Sequence, residues 1–440
     1  MGNQEITNQL AGIKAAQRTL GALPAHERTA MLHAIADTLE QQAQAIEAAN
    51  GEDLKRAAQE SLSAPLQKRL ICTVEKVNAI SKGVREVAAL VDPIGRVRER
   101  RELAPDLLLE RVDVPIGVIG MIFESRPDAL VQIISLCLKS GNAIVLKGGK
   151  EALQTNRKLV SVIREALEPF QVGSAWIVHL ESREDVHMLL GLDEVIDLLI
   201  PRGSNEFVRY IMDHTRIPVL GHADGICALF IDETADISMA VDIAIDAKCQ
   251  YPAVCNAIET LLVHKKAAPQ FLVQFKEAAT PWSLTIHGDD LVQNYINCVP
   301  AAASDWDTEY LGYEIAIKVV SSLDEAMDHI AAHGSGHTDA IVTENVDHAR
   351  TFMRQVDSAD VFWNCSTRFA DGNRFGLGAE VGISTQKIHA RGPVGLDGLV
   401  IGKWLLAGKG HRVSTYAEGK PFTHVDLSLD GPSLFDGDRT

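Results

Sequence analysis

Residues 114–150, VPIGVIGMIFESRPDALVQIISLCLKSGNAIVLKGGK, carry the pattern from which the architecture follows. Its apolar run Gly117–Ile122 is followed by a helical pattern over Asp128–Lys139 and a second apolar run, Ala143–Leu146. The alternation continues. Apolar runs at Ala175–Val178, Val195–Ile200 and Ile226–Ile231 are separated by helical patterns at Glu151–Leu167, Glu184–Leu190 and Asn205–His214. Continuous apolar strands spaced by helices predict a parallel sheet covered on both faces. Such sheets bind ligands at the carboxyl ends of their strands.

On the N-terminal side, His26–Asn50 and Leu66–Leu90 carry apolar residues at helical spacing and read as core-packing helices. Between 95 and 114 the pattern turns to alternation on either side of Ala104-Pro105-Asp106, which predicts a two-stranded excursion. A lone hairpin is marginal in water, so this one must lie on something, another subunit being one option. On the C-terminal side, runs at Ala257–Val263, Glu314–Val320, Ala340–Val342 and Asp360–Trp363 alternate with helices at Ala267–Ala278, Leu323–His333 and Val346–Gln355. They predict a second α/β domain. Leu399–Ala407 reads as a further strand, and the Asp-, Gly- and Ser-rich residues after it as loosely ordered.

The chain has 440 residues, enough for two or three domains at about 150 each. With 42 basic and 59 acidic residues its net charge is −17, which gives no global attraction to nucleic acid or to an anionic membrane. Seven scattered cysteines without a CxxC pair suit reduced thiols in the cytoplasm. Residues Met1 to Leu10 are polar and hold no apolar signal core.

The usual nucleotide fingerprints, GxGxxG and GxxxxGK[ST], are missing, as is the GxSxG elbow. Two strand ends nevertheless carry phosphate-binding chemistry. Lys147-Gly148-Gly149-Lys150 places two lysines around a glycine pair, and Arg202-Gly203-Ser204 precedes a helix whose free N–H groups could receive an anion. Cys255, in Tyr251-Pro252-Ala253-Val254-Cys255-Asn256, begins an apolar run and reads either as a buried small hydrophobe or as a nucleophile. His329, His333 and His337 are spaced four apart, but Gly334 and Gly336 break the helix a metal face would need, so no metal is expected. Arg126, Arg368, Arg374 and Arg391 lie in loop-like stretches, either solvated or holding a carboxylate or phosphate.

Taken together, VPIGVIGMIFESRPDA (114–129), KSGNAIVLKGGKEA (139–152), LIPRGSNE (199–206), YPAVCNAIETLLVH (251–264), GSGHTDAIVT (334–343), NCSTRFADGNRFGLGAEVGIST (364–385) and HARGPVGL (389–396) resemble the gamma-glutamyl phosphate reductases of the aldehyde dehydrogenase superfamily. The resemblance runs in family order to about Ala417. It implies an α/β fold of aldehyde dehydrogenase type: two α/β domains with parallel sheets, plus an oligomerisation hairpin and a C-terminal strand. The boundaries expected are 1–94 and 115–232 for a cofactor-binding domain and 233–388 for a catalytic domain. Residues 95–114 and 389–417 would build the oligomer, a dimer or tetramer, and 418–440 a loose tail.

The resemblance further implies that Cys255 is the nucleophile and that Lys147 contacts the adenosine ribose. It places Arg202, Gly203 and Ser204 at the pyrophosphate turn and Glu309 on the nicotinamide ribose. Where NAD-preferring relatives often carry a glutamate, this chain has Lys150, which suits the 2′-phosphate of NADPH/NADP+. The oxyanion asparagine of hydrolytic relatives aligns with Ser125, and their general-base glutamate near Val219. Ser125 and Asn256 are thus the candidate side-chain donors to an oxyanion, and the missing base suits a thioester that water must not cleave. The expected reaction is NADPH-dependent reduction of L-glutamyl 5-phosphate to glutamate 5-semialdehyde and phosphate, the second step of proline biosynthesis. The upstream glutamate 5-kinase is a candidate partner. Competing readings are a hydrolytic NAD-dependent aldehyde dehydrogenase and a non-catalytic scaffold of the same fold.

Overall fold

The computed structural model describes residues 3–435 apart from 61, 63, 125, 182, 183, 222, 223, 418 and 432. Ser125 therefore lies outside the described residues. The chain divides into two compact units. The first comprises 1–203, 210–219 and 394–440, and the second 204–209 and 220–393.

In the first unit the expected excursion is a hairpin of β1 (Val97–Ala104) and β2 (Leu107–Pro115). Its turn is sharp because Asp106 adopts φ +64°, a left-handed conformation that aspartate tolerates better than most residues. The strands β3 (Val118–Phe123), β4 (Ala143–Gly148), β5 (Ile177–Leu180) and β6 (Leu198–Arg202) form a parallel sheet in the order β5-β4-β3-β6. All six residues of β3 and of β4 are buried, as a sheet covered on both faces requires. The crossover helix Pro127–Lys139 starts with proline at its first turn and stops at Ser140-Gly141, where Gly141 has φ +69°.

The two long N-terminal helices are each divided. His26–Asn50 becomes Ala25–Gln41 and Ala43–Gln59, broken at Gln42, which leaves helical geometry without a proline or glycine to announce it. Leu66–Leu90 becomes Ala64–Leu70 and Val74–Ala89. There the signal was present: the Thr73 side chain accepts from Lys76 N and caps the second helix.

Asp53, fully buried on Ala43–Gln59, caps a different helix. Its carboxylate accepts from Gln154 N at 3.1 Å, Thr155 N at 2.8 Å and Thr155 Oγ1 at 2.7 Å, at the start of Leu153–Leu167. Asp53→Ala leaves those donors without their acceptor. We expect a loss of about 2–4 kcal/mol from the unfolding of this unit, read by urea denaturation.

The second unit holds seven parallel strands: β7 (Cys227–Ile231), β8 (Ile258–His264), β9 (Thr285–Gly288), β10 (Val299–Pro300), β11 (Glu314–Val320), β12 (Thr338–Val342) and β13 (Asp360–Trp363). Their order is β10-β9-β11-β8-β7-β12-β13, so β8 is central. Alternate residues of one strand enter different cores. Leu229 and Ile231 pack with the helices Ile237–Cys249 and Ala268–Ala278, while Ala228 and Phe230 pack with Leu323–His333 and Val346–Gln355.

One sequence expectation is corrected here. The run Ile226–Ile231 was read with the first sheet, but β7 pairs with β8 and β12 in the second. An apolar run is compatible with any buried parallel sheet, so its pattern does not select one. The short strands β9 and β10 were not anticipated.

β14 (Gly382–Ser384) and β15 (Gly392–Val394) form a separate two-stranded ribbon. In the first unit, β16 (Val400–Ala407) pairs antiparallel with β2. The tail expected to be loose is partly held. β17 (Val425–Asp426) pairs with β1, completing the sheet β16-β2-β1-β17. Ser433 Oγ and Leu434 N donate to the buried carboxylate of Glu110 at 2.8 and 2.7 Å. Glu110 also faces Arg100 at 3.1 Å. The correction has a polar cause: a carboxylate buried on β2 needs donors, and the tail supplies two. Residues 436–440 lie outside the description.

Candidate active site

Cys255 sits in a turn closed by Ala257 N donating to Val254 O at 3.0 Å, three residues before the central strand β8. It is half-buried. The neighbouring strand β7 begins with Cys227, whose Sγ–H donates to the Cys255 carbonyl at 3.1 Å. On the same side Gly225 packs directly onto the turn. A Cβ there would stand 2.3 Å from Cys255 O and 2.6 Å from its Cα. Burial pushes up the thiols of Cys72 and Cys249, each to about 11, and those of Cys137, Cys227, Cys298 and Cys365. Those six are driven away from the thiolate that a nucleophile requires.

Asn256 is buried, and its side chain faces inward. Its Nδ2 donates to Ala370 O at 2.8 Å, and its Oδ1 accepts from Arg368. Thr367 Oγ1 donates to Asn256 O at 2.7 Å. Arg368 also donates from Nε to Gln250 Oε1 at 3.0 Å, and Arg374 donates to Arg368 O at 2.9 Å. The segment 366–374 is thereby tied to the Cys255 turn. Burial, and then the charge of Arg374, lower the pKa of Arg368. Of the four arginines singled out, these two stand beside the turn. Arg391 instead pairs with Asp357 at 2.9 Å. Arg126 is exposed at the N-cap of Pro127–Lys139 in the first unit.

Glu309 lies in the same unit as Cys255. Its Oε1 accepts from Gly225 N at 3.0 Å, and its Oε2 accepts from Asn205 Nδ2. Gly225 thus contacts both the Cys255 turn and the glutamate. The sequence reading missed Gly225, Cys227, Gln250 and Thr367. Only Gly225 had a signal, a glycine just ahead of an apolar run.

In the first unit, Lys147 is buried near the end of β4, registered with Ile122 and Leu180, and its Nζ donates to Gly148 O. Lys150 opens the turn that follows and is four-fifths exposed, its Nζ 3.0 Å from Glu60. An exposed pair of this kind is worth at most about 1 kcal/mol and is readily exchanged for a phosphate. Arg202 ends β6, with its carbonyl accepting from Glu124 N at 3.1 Å. Exposed Gly203 and Ser204 follow, and Ser204 O accepts from Val208 N at the start of the helix Asn205–Asp213. Both lysines and this turn are at carboxyl ends of parallel strands, where the sheet leaves room for a nucleotide. These residues fit a phosphate-rich cofactor.

Among the described residues no three His, Cys, Asp or Glu side chains converge as a metal site. No helix among them is long and apolar enough to cross a membrane.

The aldehyde dehydrogenase family model matches residues 1–294. The gamma-glutamyl phosphate reductase of Pelotomaculum thermopropionicum is 53% identical over 96% of this chain and 98% of its own length. That of Acetivibrio thermocellus is 52% identical over 97% and 99%. The crystal structure of gamma-glutamyl phosphate reductase from Thermotoga maritima superposes with a TM-score of 0.91 at 38% identity, covering 93% of this chain and 99% of that one. With a shared fold, half of its residues identical and nearly full mutual coverage, the chain belongs to the aldehyde dehydrogenase family and, within it, to the gamma-glutamyl phosphate reductases.

Proposed function

We propose that this protein reduces L-glutamyl 5-phosphate to glutamate 5-semialdehyde with release of phosphate, through a thioester on Cys255, as the second step of proline biosynthesis. The observation that carries the reading is the half-exposed Cys255, held by Gly225 and Cys227 in a turn at the head of the central strand. In the first step the thiolate attacks the γ-acyl carbon, and the C–O bond to phosphate breaks as the C–S bond forms. Backbone N–H groups near Cys255 would receive the oxyanion, with Ser125 or Asn256 as the candidate side-chain donors. The Asn256 side chain links the turn to Arg368 and Ala370. Arg368 and Arg374 are the candidates for holding substrate anions in this unit, with Arg126 in the first. Arg391 is engaged with Asp357.

When bound, NADPH would supply the hydride for reduction of the thioester. Lys147, Lys150 and the turn Arg202–Ser204 would hold its adenosine ribose and phosphates, and Glu309 its nicotinamide ribose. Lys150 favours a 2′-phosphate, because an ammonium pairs with a dianion where a carboxylate would repel it. Collapse of the thiohemiacetal returns the thiolate and releases the aldehyde, with one proton taken up overall. The edge strand β16 exposes Ile401, Trp404 and Leu406, which supports assembly with further copies of the chain.

The test is the reverse reaction: NADP+ reduction by glutamate 5-semialdehyde with and without inorganic phosphate, repeated with NAD+. We expect strict phosphate dependence and a preference for NADP+. Turnover without phosphate would mean that water resolves the thioester, and a hydrolytic dehydrogenase would replace this reading.

A further inference from the structure

Four residues after the nucleophile, the apolar strand β8 carries a glutamate. Glu259 and its partner Lys248, on the helix Ile237–Cys249, are both fully buried and form an ion pair. Removing two charges from water is costly, and a buried pair is a weak source of stability compared with apolar residues of the same volume. The second carboxylate oxygen shows another use. Glu259 Oε1 accepts the backbone N–H of Leu311 at 3.2 Å. Leu311 adopts φ +53°, a left-handed conformation unfavourable for a leucine, so the turn at 309–311 needs external support. Lys248 Nζ stands 5.9 Å from the ring centroid of Tyr310, whose hydroxyl donates to Asp305 at 3.0 Å. The residue before Tyr310 is Glu309, fixed to Gly225 N and Asn205. Burial raises the Glu259 carboxyl to about 7 even with the charge and hydrogen bond of Lys248 holding it down, and burial lowers the Lys248 ammonium in turn.

We propose that Lys248 and Glu259 are positioning residues for the cofactor contact of Glu309, acting through the Leu311 N–H; this rests on the reading of Glu309 given above. The pair holds the strained turn, and the turn presents the Glu309 carboxylate.

Two double variants separate the hydrogen bond from the charge. Lys248→Met with Glu259→Gln removes both charges and keeps an acceptor for Leu311 N–H. Lys248→Met with Glu259→Leu removes the acceptor too. NADPH affinity is read by quenching of protein fluorescence, beside KM, kcat and the rate of Cys255 alkylation by iodoacetamide. We expect the Gln variant to bind NADPH within about threefold of the parent. The Leu variant should bind about tenfold or more weakly, with KM for NADPH raised more than kcat falls and alkylation unchanged. If the Leu variant does not fold, Lys248→Leu with Glu259→Met carries the same expectation. Parental NADPH affinity in the apolar variant, or equal losses in both variants, would overturn the proposal. Glu309→Gln is measured in parallel. If it leaves NADPH affinity unchanged, the reading of Glu309 fails and the proposal with it. If it weakens binding while the apolar pair does not, only the proposal fails.

Discussion

Cys255→Ser is expected to lower kcat for glutamyl phosphate reduction by at least about a thousandfold while leaving NADPH binding and the circular dichroism spectrum unchanged. A serine hydroxyl in the same turn keeps the shape and loses the nucleophile. Covalent catalysis then has no thiolate to form the acyl intermediate, and the whole rate advantage of dividing the reaction into two steps is lost. No neighbouring thiol can substitute. Cys249 belongs to the apolar core, and Cys227 is fully buried with its Sγ–H committed to the Cys255 carbonyl. Steady-state assays of both directions, with rapid-quench measurement of phosphate release, check this. A burst of phosphate from the serine variant would place the nucleophile elsewhere.

Gly225→Ala is expected to have the next largest effect, although the residue has no chemistry. The added Cβ would stand 2.3 Å from Cys255 O, 2.6 Å from its Cα and 2.7 Å from its Cβ. Two of those atoms are backbone, so no flexible side chain can swing away, and the turn itself must move. Overpacking of this kind costs about 1–3 kcal/mol. Misplacing a nucleophile by about 1 Å costs roughly a hundredfold in rate. We expect kcat to fall by about that factor, with iodoacetamide labelling of Cys255 altered in rate. The Gly225 N–H also serves Glu309, so KM for NADPH should rise in the same variant. Cysteine labelling and kcat both at parental values would show that the contact is not maintained in solution.

Much of the fold was legible because its signals are local. Apolar runs and helical spacing located β3, β4, β8 and β11 and the helices between them to within a few residues. The Ala104-Pro105-Asp106 turn marked the hairpin. What failed was long-range or had no distinguishing residue. Gln42 divides a helix without a breaker, and the pattern of β7 does not say which sheet it joins. The polar composition of the tail reads as solvated, yet Glu110 draws Ser433 and Leu434 onto β2 from more than three hundred residues away.

The candidate site divides in the same way. The residue types were readable without a structure: a cysteine heading an apolar strand, two lysines about a glycine pair, a glycine-serine turn before a helix and a glutamate in a loop. Their motif order also determined the family. What those residues touch came from packing. It turned Asn256 inward to Arg368 and Ala370, sent Arg391 to Asp357, and set Gly225 between Cys255 and Glu309. It also paired Lys248 with Glu259 beneath the turn at Leu311. The physical reason is one of range. Periodicity and turn chemistry act over a few neighbouring residues, whereas a buried charge or an orphan N–H finds its partner only when distant segments are packed together.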